Sequence, residues 1–196
     1  MKLPYGESVP RDLDVNLNTQ RYGKNLMINT AGNIPPSVNG AYSNSSGSVV
    51  SSSGGVTSLK ITGSASEFYY RFMIPKIGEM YGFNPGSTYV ISGKLLSSSG
   101  GKMIIRSQVA ASNGAWYSIT ESEIKPGKFS VKISIPSNSV SFFTSIQQLN
   151  FSSGYEFSFS EIKIESGNTA TPWSPSPKDS GYNEWYLDTY YNTDLS

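Results

Sequence analysis

The sequence contains neither histidine nor cysteine. Without imidazole there is no Ser–His or Cys–His nucleophile pair, no histidine general base and no copy of the commonest transition-metal ligand. Without thiols, disulfides, thiolate metal sites and thiol catalysis are excluded. Charge is scarce too: Asp, Glu, Lys and Arg make up 15% of the chain and nearly cancel, to a net +1. No basic run occurs, so the electrostatic footprint of a nucleic-acid-binding protein is missing and no nucleic-acid partner is expected. No run of about 18 apolar residues is available for a membrane helix, and the opening MKLPYGESVPRDLD has no apolar signal core. Neither membrane insertion nor signal-directed export is expected.

What is present points to strands. The 196 residues suit one domain with arms, and 19 Gly, 11 Pro and 13% aromatic residues suit short strands joined by tight turns. No segment has a convincing helical period. Residues 1–23 form a polar N-terminal arm, KNLMIN (24–29) is a short strand, and the Ser/Gly/Asn-rich stretch 30–55 reads as loop. Strands follow at 56–62, 67–74, 87–96, 102–111, 115–120, 128–135, 140–151 and 155–165, a spacing typical of a sandwich. NPG (84–86) and KPG (125–127) carry the Pro-Gly order of a type II turn, and SSSGGK (97–102) is short enough to predict a hairpin.

Strand parity sorts side chains by face. In EFYYRFMI, Phe68, Tyr70, Phe72 and Ile74 point to the core, and Tyr69, Arg71 and Met73 point away. In KMIIRSQVAA, Met103, Ile105 and Val109 alternate with Arg106 and Gln108; in SFFTSIQQ the polar positions include Ser145 and Gln147. One face of one sheet therefore carries Tyr, Arg and Gln. From Gly167 to Ser196 the chain becomes a Pro- and aromatic-rich tail, TPWSPSP followed by GYNEWYLDTYY. It reads either as a strap on its own domain or as a partner-docking segment using Trp173, Trp185, Tyr186 and Tyr190.

The stretch FSFSEIKIESGNTATPWSPSPKD (157–179) resembles the closing strand and tail, of the form IKLE-G-ATPW-P-P-D, of jelly-roll modules in tail and baseplate proteins of bacteriophages infecting Gram-positive bacteria. KNLMINTAGN (24–33) is similar to the opening of such modules, and NPGSTYVISGKLLSSSG (84–100) to their central strand and hairpin. The resemblance implies an all-β, carbohydrate-binding-module-like jelly-roll β-sandwich over 24–166, flanked by the arm 1–23 and the tail 167–196. It further implies a virion protein, made in the host cytoplasm without a signal peptide. Its partners would be host cell-wall or surface polysaccharide and other tail or baseplate proteins, with homo-oligomerisation favoured by tail symmetry. Related jelly rolls often tie their first segment to the closing strand with calcium, which would make Glu165, with the Asn25–Asn29 region, the candidate ligand set and structural calcium the one expected cofactor.

Sugar binding in water needs aromatic faces for the C–H side of a pyranose and planar polar groups for its hydroxyls. Tyr69, Arg71, Arg106, Gln108 and Gln147 meet that demand on one face, Trp116 and Tyr117 follow the ASNGA loop, and Tyr42 lies in the long loop that would cover the groove. The alternatives are a cation–π pair of Tyr69 and Arg71 on a solvated face, and a Trp116 turned into the core. Glu121 with Glu123, and Glu161 with Glu165, are the carboxylate pairs; nothing in the sequence sets either across a cleft, and no catalysis is expected of them. The reading is a non-catalytic glycan-binding module of a phage tail or baseplate that aids adhesion. A purely structural virion assembly protein is the alternative.

Overall fold

The computed structural model describes residues 23–38, 42–74, 77, 82–176 and 179. The described residues form strands β1 (Tyr42–Asn44), β2 (Ser48–Ser53), β3 (Val56–Ile61), β4 (Phe68–Ile74), β5 (Thr88–Ser98), β6 (Lys102–Ala111), β7 (Trp116–Ile124), β8 (Gly127–Ser134), β9 (Ser139–Leu149) and β10 (Glu156–Ser166). They make two five-stranded antiparallel sheets, β1-β4-β9-β6-β7 and β2-β3-β10-β5-β8, here the first and second sheet. The expected all-β jelly-roll sandwich is what the chain adopts. Among the described residues no helix is long and apolar enough to cross a membrane.

The core follows from alternation. Phe68, Tyr70, Phe72 and Ile74 of β4 are fully buried, as parity predicts, and meet Phe157 and Phe159 of the facing sheet. Ring centroids of Phe68 and Phe157 lie 4.9 Å apart and those of Tyr70 and Phe159 5.2 Å, within the range of favourable aromatic pairs. Each such side chain contributes about 1.5–3 kcal/mol by leaving water. The Tyr70 hydroxyl donates to the Pro36 carbonyl at 2.6 Å, so its one polar atom is satisfied.

Three local expectations are corrected. The stretch 30–55 is not all loop: it contains β1 and β2. Gly54 and Gly55, with φ of 56° and 76°, close β2 onto β3 as a two-residue turn of the left-handed kind that suits a twisted hairpin. SSSGGK does not make a hairpin, because β5 and β6 belong to different sheets. It arches across the sandwich, and Gly101 (φ 73°) permits the close approach, since a Cβ there would lie 2.3 Å from the Leu149 carbonyl oxygen. KNLMIN is extended but contributes only an isolated bridge, Ile28 with Ser37.

Candidate functional site

The outward face of the first sheet gathers most of the polar residues singled out by parity. Because antiparallel partners share a face, Ser43, Arg71, Ser145, Arg106 and Glu121 form one row across β1, β4, β9, β6 and β7. Beside it runs Tyr69, Gln147, Ile104 and Glu123, and on the other side Met73, Phe143, Gln108 and Ser118. Arg71 and Arg106 are two strands apart, about 10 Å at the usual strand spacing.

Arg71 is clamped between two rings: its guanidinium carbon lies 4.0 Å from the centroid of Tyr69 and 4.1 Å from that of Phe143. Phe143 in turn packs against Trp116 at 5.2 Å between centroids. The result is a continuous strip, Tyr69–Arg71–Phe143–Trp116, ending in an indole that is 51% exposed. The two rings orient the Arg71 fork without using its N–H donors, and its Nε is buried with no acceptor among the described residues. Arg106 is instead held by Glu121, whose Oε2 accepts from Nε at 3.1 Å and from a terminal nitrogen at 2.9 Å. Lys102 pairs with Glu123 at 3.5 Å.

Tyr69, Arg71, Arg106, Gln108, Trp116 and Gln147 are thus brought to one face, with Gln147 almost covered as part of its floor. Tyr117 is not among them. It pairs with Val109, packs against the core, and its hydroxyl donates to Asn138 Oδ1 at 3.4 Å. Tyr42 does not cover this face either; it stacks on core Tyr70 with centroids 5.4 Å apart. Phe143 was missed, although it shares the parity of Ser145 and Gln147. Only the polar residues of that parity, Ser145 and Gln147, were singled out from the sequence.

Glu165 lies on the other sheet, in a different role. Its Oε1 accepts from the Thr171 amide at 2.8 Å, its Oε2 from the Thr171 hydroxyl at 2.6 Å, and Lys163 Nζ stands 3.3 Å from Oε2. Lys163 Nζ also donates to Thr171 Oγ1 (2.6 Å) and to the Pro172 carbonyl (2.9 Å), and the Gly23 amide donates to Thr171 Oγ1 at 2.8 Å. Asn25 completes the clasp: its Nδ2 donates to the Ser174 carbonyl at 2.9 Å while its Oδ1 accepts from the Met27 amide at 3.0 Å. Burial lowers the Lys163 pKa from the ordinary lysine value, opposed by the Glu165 charge. These donors do not fit calcium. An ammonium and two Thr171 donors already occupy the carboxylate, Asn25 Oδ1 serves backbone amides, and the expected calcium role for Glu165 is corrected to an ion-paired clasp.

Trp173 belongs to the same strap and is half-buried, its indole Nε1 buried without an acceptor among the described residues. Farther on, Asp179 accepts from the Asn29 amide at 2.6 Å and the Ser176 amide at 3.1 Å, and burial raises its pKa against those two bonds. Trp185, Tyr186 and Tyr190 lie outside the described residues.

No protein-family model and no curated protein sequence matches the chain. Among solved structures it is similar to CBM22-1, the xylan-binding domain of Paenibacillus barcinonensis Xyn10C, with a TM-score of 0.52 at 11% identity over 76% of this chain and 99% of that domain. The tandem CBM22-1–CBM22-2 of the same protein gives 0.53 at 11% identity, over 76% of this chain and 47% of the tandem. The enzymatically active domain of bacteriophage CBA120 tailspike protein 4 gives 0.46 at 8% identity, over 65% of this chain and 19% of the tailspike chain. At these identities the likeness is one of fold: a carbohydrate-binding-module-like β-sandwich.

Proposed function

We propose that the chain is a non-catalytic glycan-binding module that uses the outward face of its first sheet. The observation that carries the reading is the strip Tyr69–Arg71–Phe143–Trp116. An exposed indole offers a pyranose its apolar platform, and a guanidinium whose orientation is fixed by rings, not by a carboxylate, keeps its N–H fork for sugar hydroxyls. The roughly 10 Å between Arg71 and Arg106 leaves room for a sugar ring between two planar donors. A non-catalytic role is supported by Glu121 and Glu123, the carboxylates of this face among the described strands: they sit on one strand and are tied to Arg106 and Lys102, not opposed across a cleft.

The finer reading is a tail or baseplate accessory protein of a phage of Gram-positive bacteria, located in the virion, which binds host cell-surface saccharide and aids adhesion. It rests on the likeness of residues 157–179 to such modules, and other tail proteins and further copies of the chain are its proposed assembly partners. The test is saturable binding of the labelled protein to Gram-positive cells and extracted wall polysaccharide, beside Tyr69→Ala and Trp116→Ala. Each substitution is expected to weaken binding at least tenfold with the folded state kept, because both side chains are partly solvated. Binding that survives both changes refutes this site. Absence of binding to any saccharide refutes the glycan reading and leaves virion assembly.

A further inference from the structure

The second sheet carries a cavity with no part in the site above. It has a volume of about 460 Å³ and lies between the strap and the outward face of β5 and β8, lined by Ser92, Lys128, Ser130, Glu161, Pro172 and Trp173. That volume is within the ~300–1,000 Å³ of small-molecule sites. Gly93 contributes backbone to its lining, and its missing side chain faces the core, where a Cβ would lie 2.6 Å from Ile162 Cδ1 and 3.0 Å from Phe129 Cζ.

Three features of this cavity bear on what it could hold. Lys94 and Lys128 stand directly opposite each other on β5 and β8, an unfavourable like-charge pair. Glu161, thrown out of strand alternation at a bulge with φ 52°, pairs with Lys94, so the exposed Lys128 has no carboxylate partner among the described residues. The indole N–H of Trp173 is buried without an acceptor among the described residues.

We propose that this cavity is a second binding site, for a saccharide bearing an anionic group. The carboxylate or phosphate of such a ligand meets Lys128, its hydroxyls meet Ser92 and Ser130, its apolar face lies on Pro172 and Trp173, and its oxygen accepts from the indole N–H once the half-buried ring turns toward it. The proposal stands independently of the first-sheet site.

The test uses the full chain with Trp116→Phe and Trp185→Phe, which leaves Trp173 as the single indole of the three in the sequence. Its emission is followed during titration with trigalacturonate and, separately, with neutral xylotriose. A saturable shift is expected with trigalacturonate and at least tenfold weaker binding with xylotriose. Lys128→Glu is expected to weaken trigalacturonate binding at least tenfold and Lys128→Gln by less, whereas Tyr69→Ala leaves it unchanged. No saturable shift with either sugar, equal affinity for both, or a shift that survives Lys128→Glu overturns the proposal. Loss of the shift on Tyr69→Ala assigns the binding to the first sheet and overturns it as well.

Discussion

Replacing Thr171 by valine keeps the shape of the side chain and removes one hydroxyl. In the clasp that hydroxyl accepts from the Gly23 amide and the Lys163 ammonium and donates to the Glu165 carboxylate, at 2.8, 2.6 and 2.6 Å. Two of the three bonds involve a charged partner, each contributing about 1.5–3 kcal/mol, and the third is an ordinary bond of about 1 kcal/mol. Part is retained, because Lys163 keeps the Pro172 carbonyl and Glu165 keeps the Thr171 amide. The expected net loss is about 3–4 kcal/mol, a large share of a stability of ~5–15 kcal/mol. In thermal unfolding this corresponds to a Tm lowered by about 10 °C. Thr171→Ser retains the hydroxyl and should lose no more than about 1 kcal/mol. Urea unfolding measures the global part, and hydrogen exchange at the Leu26 amide, which donates to the Ile164 carbonyl at 2.8 Å, reports local release of the strap. A Thr171→Val loss below about 1 kcal/mol with unchanged Leu26 exchange would refute the reasoning. So would a Thr171→Ser variant as unstable as the valine one.

The buried ammonium gives a pH signature. The pKa of Lys163 is lower in the folded protein than the ordinary 10.5, so just below 10.5 the unfolded chain holds the proton and the folded one releases it. The unfolded state then binds more protons, and this group's contribution to stability rises with pH through that window. Wild-type urea midpoints measured relative to Lys163→Met should therefore climb as pH approaches 10.5 from below, and a flat or falling difference contradicts the assignment. Gly93→Ala places a methyl 2.6 Å from Ile162 Cδ1 and should cost about 1–3 kcal/mol in urea unfolding; a neutral result would show that Ile162 yields freely.

The faces of the sandwich were legible in the sequence because alternation is local: EFYYRFMI names its own core and solvent sides, and β6 repeats the pattern. Partnership across the chain was not. Whether Gly100–Gly101 turns a strand back on its neighbour or carries it to the opposite sheet depends on pairing elsewhere, with β10 and β8 for β5 and with β9 and β7 for β6. Strand β2 was hidden because serines at a sheet edge need no apolar alternation to hold a register already fixed by the two-glycine turn. At the site, Tyr69 and Arg71 were visible as neighbours on one strand, but Phe143, the second ring of the clamp, belongs to another. Glu165 looked like a free oxygen donor until Lys163, two residues away, turned out to be buried beside it under a threonine from the tail.

The bond from Gly23 to Thr171 joins positions 148 residues apart in sequence. With the bonds of Asn25 to Ser174 and of Asn29 to Asp179, it closes the described domain into a ring in which the first and last described segments run side by side. Tension applied at Gly23 and Asp179 is expected to load these contacts before the ladders of either sheet, a rupture order that force spectroscopy reads directly. While those contacts hold, the aromatic strip on the far sheet is expected to keep its shape under force.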